Sequence, residues 1–196
     1  FNDLYYPWGG NSKLRPEQAR SNEVGVQYTQ ATWNARLTAF ENRYTDLIDN
    51  DANWTRTNIA KASNQGVEVA LAGKWSMPAV GEQQWRLSFT SQDPQNDITH
   101  KVLMRRAKTL AQAGLTQTID QWDTGIQLRY SGAREDAGKT LKAYTVVDLT
   151  ASRALTSELR LTLRLENANN ADYQTIYGYN TPKRSVFAGL KWAPKY

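Results

Sequence analysis

The chain has 196 residues, with 24 Lys and Arg against 19 Asp and Glu, a formal net charge of +5 and a mean hydropathy of -0.68. This polarity excludes a bundle of membrane helices, because no stretch approaches the roughly 18 consecutive apolar residues of a spanning helix. The absence of cysteine excludes disulfide frameworks, thiolate metal sites and cysteine nucleophiles, and the basic residues are scattered among acidic ones, so nucleic acid is not an expected partner. Seven Trp and ten Tyr suit a membrane-water boundary, a carbohydrate groove or an all-β core, and composition does not choose among them.

Along the chain, period two dominates and predicts strands whose successive side chains point to opposite faces. The apolar set runs through Val24, Val26 and Tyr28, then Trp33, Ala35, Leu37 and Ala39, then Val67, Val69, Leu71 and Trp75, and on to Trp85, Leu87 and Phe89. A strand is expected from Arg106 to Thr118. It is followed by Trp122, Ile126, Leu128 and Tyr130, by Val147, Leu149 and Ala151, by Leu159, Leu161, Leu163 and Leu165, and by Val186, Ala188, Leu190 and Trp192. About nine strands are predicted, in one domain without a linker. Their alternate positions carry charge: Glu23, Arg36, Glu68, Lys74, Arg86, Arg129, Asp148, Arg160, Arg164 and Glu166. A lipid-embedded barrel with a polar lumen produces this pattern, and so does a soluble β-sandwich with a solvated outer face.

Connection length separates these two. Long segments at Phe1–Ala19, Ile48–Thr57, Asp93–Leu103, Ala133–Leu141 and Asn169–Pro182 alternate with short turns at Gln30–Thr32, Met77–Gln84, Ile119–Gln121 and Leu155–Glu158. Outer-membrane barrels sort their loops in this way, with short periplasmic turns and long external loops. Trp33, Trp75, Trp85 and Trp122 lie beside short turns, where an aromatic girdle belongs. The expectation is therefore all-β, an antiparallel up-and-down transmembrane β-barrel in a bacterial outer membrane. The chain opens at Phe1 without an initiator methionine or a basic, apolar leader, so it reads as a piece of a longer polypeptide whose export signal lies elsewhere.

Several stretches carry a resemblance: Phe1 to Pro7, Leu14 to Glu17, Tyr44 to Asp49, Asn64 to Glu68, Leu103 to Lys108, Leu165 to Asn167 with Asp172 and Tyr173, and Tyr177-Gly178-Tyr179 leading through Pro182 and Arg184. Together they resemble the C-terminal part of TonB-dependent outer-membrane receptors, and FNDLYYP, YTDLID, RRAK and YGY look most like the cobalamin receptors among them. The final strand, with Leu190, Trp192 and the terminal Tyr196, resembles the assembly signal that barrel assembly machinery reads, although Pro194 departs from it.

The resemblance implies a barrel of about 22 strands, of which residues 1–196 are the C-terminal portion, with the N-terminal plug domain and its TonB-contacting region lying elsewhere. It implies import of cobalamin or a related corrinoid, with a ferric siderophore as the alternative cargo, and outer-membrane lipids and lipopolysaccharide as surroundings. No catalytic residue and no cofactor are expected. His100 reads as a solvated loop residue, and Glu135 and Asp136, being adjacent, point apart rather than flanking a glycosidic bond.

Candidate ligand contacts are Arg105, Arg106, Arg134, Tyr177 and Tyr179. The resemblance favours Arg105, whereas strand alternation groups Arg106 with Lys108, Gln112 and Thr116 on the polar face. Arg134 ends a stretch that resembles a loop entry, but the loop beyond it lacks the family's tyrosine. Trp8, Trp54 and Tyr173 are further loop aromatics, for which packing is the default role. Asp46, Asp49, Asn50 and Asp51 carry the hard oxygen atoms calcium prefers, so calcium in the external loops is possible, yet their spacing lacks an EF-hand's glycine turn and distal glutamate.

Overall fold

The computed structural model describes residues 2–7, 10–50 and 55–194. A single helical turn, α1 (Asn2–Tyr5), precedes strands β1 (Gln18–Thr29), β2 (Trp33–Asn50), β3 (Arg56–Met77), β4 (Gly81–Asn96), β5 (Lys101–Val102) and β6 (Thr109–Ile119). The chain continues through β7 (Trp122–Ser131), β8 (Arg134–Asp136), β9 (Lys139–Leu141), β10 (Tyr144–Ala154), β11 (Leu159–Glu166) and β12 (Ser185–Trp192). Nine long strands form one antiparallel meander in the order β1-β2-β3-β4-β6-β7-β10-β11-β12; β5 pairs with the far end of β4, and β8 with β9 forms a separate hairpin. The nine strands expected from the period-two pattern are these nine.

Register aligns the apolar positions into continuous rows. One row runs Trp33, Gly73, Trp85, Leu115, Ile126, Leu149, Leu165, Val186 across eight strands, each residue directly opposite the next. A second runs Ala35, Leu71, Leu87, Ala113, Leu128, Val147. Because cross-strand partners share a face, these rows form a single apolar surface. That surface is not packed against a second layer: Leu37, Leu87, Leu128, Leu149 and Leu163 are all exposed, and the buried apolar residues among those described are Ala62, Pro94, Ala107, Leu141 and Val146. A sandwich hides such rows between two sheets; here they form an exposed face, as on the wall of a membrane barrel. The opposite face carries rows such as Arg36, Ala70, Ser88, Gln112, Arg129, and its charges pair within the sheet, as Arg129 does with Asp148 at 2.8 Å and Arg160 does with Asp123.

Short turns all close at one end. After Met77 the Val80 N–H donates to the Met77 carbonyl at 3.1 Å, and Gly81 then adopts φ +73. Met77 lies directly opposite Gly81, and glycine suits the left-handed position that closes the turn; a Cβ there would also stand 2.1 Å from the Thr118 carbonyl oxygen. Between β6 and β7 the loop is Asp120 and Gln121 alone, with Ile119 opposite Trp122 and Asp120 at φ 52, a conformation aspartate tolerates. Trp33, Trp75 and Trp122 stand exposed on the apolar face at this end, Tyr28 meets Trp33 with ring centroids 5.5 Å apart, and Trp192 lies opposite Leu159. The Arg153 guanidinium sits 5.3 Å over the Trp122 ring, as a long cation does where it reaches from an apolar surface toward water.

Three expectations need correction. The strand expected from Arg106 begins at Thr109, because Arg105 takes φ 62 and residues 103–108 turn rather than extend. Strand alternation therefore assigns no face to Arg105 or Arg106. The segment Asp93–Leu103 is half strand, since β4 continues to Asn96 and β5 folds back on it with Gln95 opposite Val102. The Ile48–Thr57 connection is shorter than expected because β2 runs to Asn50 and β3 starts at Arg56, with Asp46 at φ 56 where the register shifts between Tyr44 and Leu47.

In the intact protein reconstituted in bilayers, nitroxide labels at Leu161 and Leu163 are expected to relax with oxygen dissolved in lipid, and labels at Thr162 and Arg164 with a water-soluble quencher. The reverse pattern contradicts the assignment of faces.

Candidate functional site

At the end opposite the short turns, three connections converge: residues 103–108, the β8–β9 hairpin, and residues 167–184. The hairpin is tight because Ala137 and Gly138 both take positive φ, 49° and 73°, between the paired Asp136 and Lys139. On β8, residues two apart share a face. Arg134 and Asp136 accordingly turn inward together, 6% and 1% exposed, while Glu135 points the other way and accepts from the Thr140 hydroxyl at 2.7 Å. The two carboxylates point apart, as adjacent strand residues do.

Asp136 joins the other two connections. Its Oδ1 receives Arg105 Nε at 2.9 Å, and its Oδ2 receives the backbone N–H of Tyr177 at 2.7 Å. The Arg105 N–H also donates to the Glu135 carbonyl at 2.7 Å. Arg134 works beside it, donating from Nη1 to Ser131 Oγ at 2.8 Å and from Nη2 to the Gln174 carbonyl at 2.5 Å. Its guanidinium lies 5.0 Å over the Tyr144 ring, which stacks on Tyr173 with centroids 4.1 Å apart. Tyr173 thus packs the loops together. Asn167, at φ 49, holds the base of the same long loop by donating to the Ala171 and Pro182 carbonyls at 3.0 and 3.2 Å.

The candidate residues fall into two groups. Arg134 is enclosed, with both terminal nitrogens hydrogen-bonded. Arg106, Tyr177 and Tyr179 are exposed, the tyrosines at 48% and 70%, and Arg106 has no ion-pair partner among the described residues. The tyrosines flank Gly178, whose φ of +83 completes a turn closed by Tyr179 N–H to the Ile176 carbonyl at 3.1 Å. Arg105 stands between the groups: Nε is bound, its side chain is 51% exposed, and its terminal nitrogens carry no hydrogen bond among the described residues.

His100 sits exposed in a turn at φ 55. Asp46 is taken by Arg15 at 2.5 Å, Asp51 lies outside the described residues together with the side chains of Asp49 and Asn50, and no cluster of three acidic or imidazole ligands occurs among those described. Trp8, Trp54 and Tyr196 also lie outside the described residues, whereas Leu190 and Trp192 stand on the exposed apolar face of β12. Gln174 and Asn167 carry loop contacts that periodicity could not single out, because a polar residue in a polar loop leaves no pattern. Asp136 had one signal, its alternation with Arg134 ahead of Ala137-Gly138.

An exposed apolar face, a polar reverse face, and turns sorted short and long by end define a segment of outer-membrane β-barrel wall. The chain belongs to the TonB-dependent receptors: the family described as TonB dependent receptor-like, beta-barrel, matches residues 1–171. It is 31% identical over 198 residues to the Vitamin B12 transporter BtuB of Vibrio vulnificus (strain YJ016), covering 98% of this chain and 31% of that protein. The chain spans about a third of the length of the curated relatives it matches. Among solved structures, it superposes on a copper transporter, OprC, with a TM-score of 0.75 at 16% identity, covering 92% of this chain and 32% of that one. The ferripyoverdine receptor of Pseudomonas aeruginosa gives a TM-score of 0.74 at 17% identity over 93% and 28% of the two chains, a likeness of fold alone. The chain is a segment of outer-membrane β-barrel.

The Tyr177 N–H, and after it the Arg105 guanidinium, hold the Asp136 carboxyl below the usual carboxylate range against the opposing effect of burial. A carboxyl depressed on folding contributes stability that is complete above its unfolded pKa of about 3.9 and is lost as pH falls through its own lower value. A spin label at Tyr179→Cys is therefore expected to keep its mobility from about pH 7 to about pH 4 and to loosen only below that. Loosening already at about pH 6 contradicts the Asp136 contacts.

Proposed function

We propose that this chain is the C-terminal barrel portion of a TonB-dependent transporter that captures cobalamin or a related corrinoid outside the cell. The reading includes a plug domain and a TonB-contacting region supplied by the rest of the protein, surrounding lipid and lipopolysaccharide, and insertion by the barrel assembly machinery through the β12 signal that ends in Tyr196. It is transport rather than enzymatic catalysis. The observation that carries it is the 31% identity to a vitamin B12 transporter, sustained over 98% of the chain and so including its external loops.

Local chemistry supports it. A corrinoid presents amides and a phosphodiester around a broad, partly apolar ring system. Arg105 and Arg106 offer guanidinium donors for the former, and the exposed rings of Tyr177 and Tyr179 offer flat apolar surface with a hydroxyl at the tip for the latter. In this reading Arg134 supports the loop rather than the ligand, since it is buried and both its terminal nitrogens are bound within the loops.

Titration of the full-length receptor with cyanocobalamin and with a panel of ferric siderophores tests the assignment. Saturable cobalamin binding is expected. Arg105→Ala removes a charge-assisted contact worth about 1.5 to 3 kcal/mol and should weaken binding roughly ten- to a hundredfold; Arg106→Ala and Tyr179→Ala are expected to weaken it less. A receptor that binds only ferric siderophores contradicts the reading.

A further inference from the structure

We propose that Asp136 is the positioning residue of the external ligand face: one buried carboxylate sets Arg105 and the Ile176–Tyr179 turn relative to each other. The inference rests on the cobalamin reading for its ligand and on geometry for its mechanism. The two oxygens of Asp136 serve two separate connections, Arg105 Nε at 2.9 Å and the Tyr177 N–H at 2.7 Å. At 1% exposure, no bulk water is at hand to replace either contact. The charged groups facing this carboxylate are Arg105 and, two residues along the same face of β8, Arg134, whose own donors go to Ser131 and Gln174.

Each partner is held in a way that leaves its outer part available. Arg105 is a non-glycine residue at φ 62, a strained conformation that persists where surroundings enforce it. The Glu135 carbonyl takes its backbone N–H and Asp136 takes its Nε, so the terminal nitrogens keep their donors for a ligand. The Tyr177 turn is anchored through its main chain, which frees both tyrosine rings. A single acceptor group thus fixes the spacing between a cationic donor and an aromatic pair, and a ligand binding across both does not itself have to order the loops.

The test uses the full-length receptor with Asp136→Ala, Asp136→Asn, Arg105→Ala and the Arg105→Ala/Asp136→Asn double variant. Without ligand, amide exchange at Tyr177 is expected to accelerate about tenfold or more in Asp136→Ala and to stay slow in Arg105→Ala. Asp136→Asn is isosteric and retains an acceptor for the Tyr177 N–H, which keeps the experiment informative should the alanine variant fail to insert. It no longer pairs with Arg105, so its cyanocobalamin affinity should fall roughly tenfold, and the double variant should bind no more weakly than Arg105→Ala. Unchanged Tyr177 exchange in Asp136→Ala overturns the proposal, as do additive affinity losses in the double variant. Failure of the parent receptor to bind cobalamin would instead count against the ligand, with the exchange result still deciding the role of Asp136.

Discussion

Hydrocarbon offers a peptide group nothing to hydrogen-bond with, and every other feature of this chain follows from that constraint. The backbone must pair strand to strand without interruption, and the meander from β1 to β12 does so through eight consecutive antiparallel pairings. With the backbone satisfied laterally, the side chains sort by face. Leucine, valine and tryptophan point to lipid, where no second layer is needed to cover them. Arginine, aspartate and glutamine point to a hydrated lumen, where ion pairs such as Arg129 with Asp148 form close to water and are worth little individually. The stabilising term is the transfer of the apolar rows out of water, so the fold holds together without a conventional core.

β1 and β12 are the two ends of the meander, each with one strand neighbour among the described residues. An edge of this kind cannot face lipid, and the chain covers about a third of its curated relatives. In the proposed reading, further strands of the same barrel complete the wall. The rigid wall in turn allows the external loops to be irregular. They are joined by buried polar contacts of Asp136, Arg134 and Asn167.

Much of this was legible in the residues. Leu159 to Leu165 alternating with Arg160 to Glu166 specified strand and face together, because a period of two puts successive side chains on opposite faces, but it left lipid and a second sheet as equal coverings for the apolar face. Turn length then separated barrel from sandwich. The loops were less legible. Alternation was extended through Arg105 and Arg106 because they adjoin a true strand, and nothing local announces a left-handed arginine whose conformation depends on an aspartate 31 residues later. Asp136 itself looked like half of an adjacent acidic pair, and its role emerged only when the Tyr177 turn was seen to arrive above it. Local period determines strands, whereas loop contacts are set by distant partners, and a single sequence does not display those.

The central claim is that the tryptophan-bearing face lies against lipid, and tryptophan quenching in the full-length receptor tests it most directly. Single-tryptophan variants retaining Trp85 or Trp122, reconstituted with lipids brominated at stepped acyl-chain depths, should be quenched most by bromines near the headgroup and little by aqueous iodide. Strong iodide quenching at both positions, with no dependence on bromine depth, would contradict a lipid-facing apolar surface and with it the barrel account.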